Sequence, residues 1–226
     1  MLTGVTKFGQ VSVFSDLNQL LDLSLHPDYG ALCGITEPEL LQTFAPELAE
    51  LARRNGVSDA DCIERVRRRY DGYRFEENAP RVYNPFSTLN LLHSYKFQDF
   101  WFQTGTPTFL VELLKRCDTD VRDLDGVTLS PDDFANYRAD PNRPLPVIYQ
   151  SGYLTIRDYD QELGVYTLGY PNEEVRHGFL HFLLPHYTGI EREGCGAHIV
   201  GFIQDLRAGN VNAFMTRLRA FFAGIP

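Results

Sequence analysis

The sequence predicts a helix-dominated α+β fold. Three observations carry that prediction. Apolar residues recur at helical spacing over most of the chain, as in Leu40, Leu41, Phe44, Leu48 and Leu51. Strand-like alternation is confined to short runs, notably 153–157 and 165–169. Asn-Pro, Thr-Pro and Asn-Gly pairs punctuate the helical runs, as helix starts and stops do.

In chain order, residues 1–25 read as short strands and loops, with Val11 and Val13 and then Leu21, Leu23 and Leu25 alternating with polar neighbours. Helical periodicity starts at Thr36, is kinked or broken at Pro46 and stops at Asn55-Gly56. Ser58 or Asp59 caps a second helix that carries Cys62, Ile63, Val66 and Tyr70. Asp71 to Phe75 forms a turn and an extended piece. Asn84-Pro85 opens a helix through Leu89 and Leu92, and Thr106-Pro107 opens one carrying Phe109, Leu110, Leu113, Leu114 and Cys117. The polar, Pro/Asp-rich stretch 118–144 is the candidate boundary, with a short helix at Ser130-Pro131. Beyond it come a helix from Leu145 to Gln150 stopped by Ser151-Gly152, a hairpin turning at Asp160–Gly164, and a helix capped by Asn172. Helix, hairpin and helix in that order resemble a winged-helix unit. Two helices, at about 197–208 and 210–223, close the chain around Gly209-Asn210.

Composition narrows the function. The chain has 226 residues, 43% hydrophobic and 13% aromatic, enough for a well-packed core. No apolar run spans a membrane and no signal peptide opens the chain, so a cytoplasmic location is expected. The net charge of −9 opposes binding to a phosphate backbone except through a local patch. Cys33, Cys62, Cys117 and Cys195 form no CxxC pair, which argues against zinc and for free, mostly buried thiols.

Catalytic motifs are missing. A P-loop needs GK[ST], and none of Lys7, Lys96 and Lys115 follows a glycine. None of them has a carboxylate two residues earlier, so the Asp…Glu-x-Lys pattern of a nuclease site is absent, as is G-x-S-x-G. Asp132-Asp133 and Glu173-Glu174 read as carboxylates at helix starts, favoured by the dipole. Glu173, His177 and His181 have the i, i+4, i+8 spacing that can ligate a metal. Two helical histidines often recur by accident, and a solvated face opposite Val175, Phe179 and Phe182 is the better account. Arg65, Arg67, Arg68 and Arg69 read as a solvated face with a Glu64–Arg68 pair, or as a contact with nucleotide or a neighbouring ATPase surface. Arg74 is a sharper phosphate candidate by analogy with arginine fingers, although pairing with a carboxylate is favoured.

The stretches TGVTKF with VSVFSDLNQL, YDGYRF, VYNPFS, FWFQTGTPTFLVELLK, IYQSGYLTI and LGYPNEEVR resemble, in that order, the predicted AAA-ATPase-like proteins. These are often fused to a C-terminal PD-(D/E)XK nuclease-like domain. The resemblance covers essentially the whole chain and implies that it is the middle of a longer architecture. The Walker A and Walker B half would precede TGVTKF and the nuclease-like domain would follow. It implies three parts: a remnant of the ATPase core at 1–35, a helical lid-like region at 36–125, and a winged-helix-like unit with a helical tail at 126–226. It also implies that TGVTKF is the sensor-1 region, with Thr3 and Lys7 as nucleotide-sensing candidates beside Arg74.

Alone, such a chain is expected to be catalytically silent and to need no cofactor. ATP and Mg²⁺ would be used only with the P-loop half. Its partners would be its own ATPase half and C-terminal domain. The winged-helix-like unit is expected to contact protein rather than DNA, because its wing carries Asp158, Asp160 and Glu162 and its first helix carries no basic residue. Self-association through an unpaired strand at residues 1–14 is a further expectation. The alternatives are a stand-alone protein-interaction module and a metal-dependent enzyme using Glu173, His177 and His181.

Overall fold

The computed structural model describes residues 23, 25–104, 112, 114, 121–131, 133, 144–188 and 192–223. Thr3, Lys7, the strand readings over residues 1–22 and nearly all of the helix expected from Pro107 lie outside the described residues. The fold is α+β and dominated by helices. It divides into two compact units, Met1–Arg176 and His177–Pro226. The boundary expected near residue 126 lies inside the first of them.

In the first unit, β1 (Ile35–Thr36) leads into α1 (Glu37–Thr43). Glu39 accepts a hydrogen bond from the Thr36 backbone N–H at 2.8 Å and so closes the helix start. Pro46 begins a new helix rather than kinking the old one: it occupies the first turn of α2 (Ala45–Asn55), where its missing N–H costs no bond. Ser58 caps α3 (Asp59–Tyr70) by accepting from Asp61 N at 3.1 Å. β2 (Val82–Tyr83) pairs antiparallel with β1, and Asn84 caps α4 (Pro85–Ser94) by accepting from Ser87 N. The faces of these helices meet in one cluster containing Leu40, Leu48, Leu51, Val66, Tyr70 and Leu91. Each large side chain buried there contributes about 1.5–3 kcal/mol.

A three-stranded antiparallel sheet completes the unit, ordered β3 (Val127–Leu129), β5 (Val165–Gly169), β4 (Thr155–Asp160). α5 (Pro144–Gln150) precedes the hairpin and α6 (Glu173–Thr188) follows it. The hairpin has a third strand that the sequence reading lacks, because Val127–Leu129 is too short to show alternation and pairs with β5 from far away in the chain. Asp160 holds the tip by accepting from the backbone N–H groups of Glu162 and Leu163, both at 2.9 Å. Leu23 and Leu25 are not in strand.

The division between the units falls within α6. In the second unit, α7 (Arg192–Arg207) and α8 (Val211–Ala223) form a helical hairpin turned by Gly209-Asn210, and α7 starts earlier than expected. Asn210 caps α8, Phe202 packs edge-on against Phe214 and Phe221, and Arg217 pairs with Asp205 at 2.8 Å. Among the described residues no helix is long and apolar enough to cross a membrane.

Candidate functional site

The motif YDGYRF leaves the end of α3 and crosses to the three-stranded sheet. Tyr73 bridges to Val82, and its hydroxyl donates to the Gly152 carbonyl at 3.1 Å. Arg74 N donates to Thr155 Oγ1 at 2.7 Å, and Thr155 Oγ1 donates back to the Arg74 carbonyl at 3.0 Å. Gly72 sits at φ +118° against Pro171, where a Cβ would collide with the Pro171 carbonyl oxygen. YDGYRF and the LGYP segment of LGYPNEEVR therefore pack backbone against backbone, which only glycine permits there.

This junction carries a cleft of about 290 Å³ on its surface. Its walls bring Arg67 and Arg68 of α3 together with Arg81, Arg157 and Arg176. A smaller recess lined by Arg74, Arg81 and Arg157 shares Gly72 with it. The carboxylates in the cleft are mostly committed. Glu64 pairs with Arg67, which also pairs with Glu37. Glu173 pairs with Arg68 at 2.9 Å. Asp125 accepts from Tyr170 N at 3.3 Å. Arg157 donates to the Tyr170 carbonyl. Burial holds its guanidinium below the usual arginine range; Asp125 opposes that shift, and the positive charges of Arg81 and Arg74 add to it. Burial also pushes the Asp71 carboxyl above the usual range, towards its neutral form.

Two features of this junction go beyond what the sequence pattern shows. Glu174 stands in the first turn of α6, as expected of a carboxylate at a helix start, and is fully buried there. Its Oε1 accepts from Phe100 N at 2.6 Å and Trp101 N at 3.0 Å, fastening an upstream loop to α6. Burial raises its carboxyl pKa against the pull of neighbouring donors. Nothing local signals this, because its partners lie more than seventy residues upstream. The basic cluster on α3 is likewise not a Glu64–Arg68 face. Arg65 lies over the Phe97 ring at 3.9 Å, Arg69 pairs with Asp99 at 2.7 Å, and Arg67 rather than Arg68 takes Glu64.

Of the candidate residues, Arg74 borders the site, and among the described residues its guanidinium donates to the Arg157 carbonyl at 3.2 Å and pairs with no carboxylate. Thr3 and Lys7 lie outside the described residues. Glu173 is held by Arg68, while His177 and His181 are exposed on α6. Among the described residues no three His, Cys, Asp or Glu side chains group as metal ligands. Cys62 is buried as expected and Cys33 is exposed, while the side chains of Cys117 and Cys195 lie outside the described residues.

Comparison with known proteins finds a curated relative from Azotobacter chroococcum mcd 1, described as an uncharacterized protein in the vnfD 5' region. It is 37% identical over 230 residues, which take in 100% of this chain and 42% of the relative. The chain thus spans less than half the length of the curated protein it matches. No protein-family model matches the chain, and no solved structure matches it.

Proposed function

We propose that this chain is the non-catalytic sensor, lid and winged-helix-like portion of a longer, cytoplasmic AAA-ATPase-like protein. In this reading it couples the nucleotide state of a P-loop half to a following nuclease-like or effector domain. The observation that carries the reading is convergence. YDGYRF and LGYPNEEVR, nearly a hundred residues apart, interlock at Gly72 and Pro171 and border one arginine-lined cleft. A junction of this kind suits transmission between parts of a protein better than turnover. The missing GK[ST] supports a silent chain, with ATP and Mg²⁺ handled elsewhere. The greater length of the Azotobacter relative leaves room in that protein for a nucleotide-binding half and a further domain. Contact with duplex DNA through the hairpin is disfavoured by Asp158, Asp160 and Glu162, all exposed.

The test is ATP binding and hydrolysis by this chain and by the full-length relative. The coupling reading expects no turnover by the chain and ATP hydrolysis by the longer protein. Turnover by the chain itself, or a full-length relative that neither binds nor hydrolyses ATP, overturns it.

One observation favours a second reading, a protein-interaction module. The helical hairpin of the second unit leaves Val200, Ile203, Leu206, Val211, Met215 and Phe222 exposed.

A further inference from the structure

The arginine-lined cleft has donors to spare. Among the described residues, Arg81 and Arg176 line it without an ion pair. Asn172, 7% exposed, lines it too: its Oδ1 caps α6 by accepting from Val175 N at 3.0 Å, while its Nδ2 is buried with no hydrogen-bond partner. In the adjoining recess the Arg74 Nε is also buried and unpartnered. A buried donor without a partner is unfavourable, and two of them beside one cleft fit an acceptor supplied from outside. The spare groups are nearly all donors and most are cationic, so that acceptor is an anion. Three carboxylates that would compete are already engaged, by Arg67, Arg68 and the Tyr170 amide. The Asp71 Oδ1 is buried without a partner too. That leaves one acceptor for a hydroxyl of the ligand.

We propose that this cleft is a phosphoryl-binding site, in which Arg81, Arg157 and Arg176 with the Asn172 amide hold a phosphate group. Guanidinium groups match phosphate oxygens in a bidentate fork, and several converging arginines outweigh the weak attraction of any exposed one. At about 290 Å³ the cleft falls just short of small-molecule pockets, which run from ~300 to 1,000 Å³. It therefore suits a phosphate group with a small attached portion. The inference goes beyond the coupling reading and stands without it, since phosphate binding here and ATP hydrolysis by the longer relative can each fail alone.

The test is calorimetric titration of the full chain with inorganic phosphate at low salt, with chloride at matched ionic strength as the blank and ATP as a second arm. Saturable phosphate binding is expected. The Arg81→Gln/Arg176→Gln double variant should bind phosphate roughly tenfold or more weakly. Its thermal midpoint should be no lower than that of the parent, because neither arginine has an ion pair to lose among the described residues. Asn172→Asp keeps a capping oxygen and adds a negative charge, so it should weaken binding similarly. Arg53→Gln, on an arginine paired with Glu50 away from the cleft, should leave binding unchanged. ATP binding no tighter than phosphate would assign the site to free phosphate; ATP binding clearly tighter, and still lost in the double variant, would assign it to a nucleotide. Both support the site. No saturable phosphate binding, or equal weakening by Arg53→Gln, overturns it.

Discussion

The helical cluster of residues 35–100 and the junction that joins it to the three-stranded sheet are held by different means. In the cluster, Leu40, Leu51, Val66 and Leu91 bury against one another, and the charged side chains keep to the outside, as in the Glu50 pairs with Arg53 and Arg54. In the junction the fastenings are polar. Thr155 ties to the Arg74 backbone, Glu174 ties to the Phe100 and Trp101 amides, and Asp71, Asn172 and Glu174 are all buried. Apolar contact is non-directional and tolerates rearrangement. Buried hydrogen bonds fix distance and angle, and a lost one leaves an unsatisfied group. A cluster of the first kind supplies stability, whereas a junction of the second kind can hold a cleft in a defined shape.

The sharpest way to break the comparison is Gly72→Ala. The position combines φ +118° with direct approach to the Pro171 carbonyl. Strain of ~1–3 kcal/mol and overpacking of ~1–3 kcal/mol together predict a loss of about 4 kcal/mol in urea unfolding. The loss should appear first in hydrogen exchange at β4 and β5. If exchange accelerates equally in α2 and α3, the junction and the cluster are one cooperative unit.

Leu51→Ala comes next. Leu51 is fully buried at the centre of the cluster, and truncation should cost about 3 kcal/mol, within the ~2–5 kcal/mol range for such cavities. It should lower the unfolding midpoint and leave phosphate affinity unchanged, because the cleft is built at the junction.

These two residues also show what the sequence makes legible. Leu51 belongs to a periodic face, and Ser58, Asn84 and Asn172 announce their helices by cap chemistry, so the helices could be read from local pattern. Thr155, Glu174 and Arg157 act through partners distant in the chain, and β1, β2 and β3 are two or three residues long, too short for alternation to register. The cleft was legible only as separate motifs. Arg74 stands out within YDGYRF, while Arg81, Arg157 and Arg176 carry no local signal, because convergence is a property of the folded chain. A glutamate in the first turn of a helix is ordinarily a dipole-favoured surface group, and only the loop at Phe100 makes Glu174 otherwise.

Glu174→Ala is the third test. It strips an acceptor from two backbone amides and should cost about 2 kcal/mol at ~1–3 kcal/mol per unsatisfied buried group, with faster exchange at Phe100 and Trp101. Glu174→Gln keeps an accepting oxygen and removes only the titration. The folded pKa of Glu174 lies above its unfolded value. Its contribution is therefore full below the ordinary glutamate pKa and is lost as pH rises through the raised folded value. Wild type should lose stability relative to Glu174→Gln between acid and neutral pH. The reverse slope would mean that the carboxylate is held charged in the fold.

Gly164→Ala is expected to have the smallest effect, and it isolates what is particular about Gly72. Both glycines have positive φ, +65° at Gly164 and +118° at Gly72. At Gly164, however, a Cβ would meet nothing within 4 Å. Its turn is held from the other side by Asp160, whose carboxylate accepts two backbone N–H groups. The left-handed conformation alone costs an L-residue about 1–2 kcal/mol, and the open tip can relax, so about 1 kcal/mol should be lost. The excess of Gly72→Ala over Gly164→Ala then measures the backbone contact between YDGYRF and LGYP. Equal losses would mean that positive φ explains both positions and that the contact with Pro171 yields easily. In that case phosphate affinity should survive Gly72→Ala, which titration of the same variant would show.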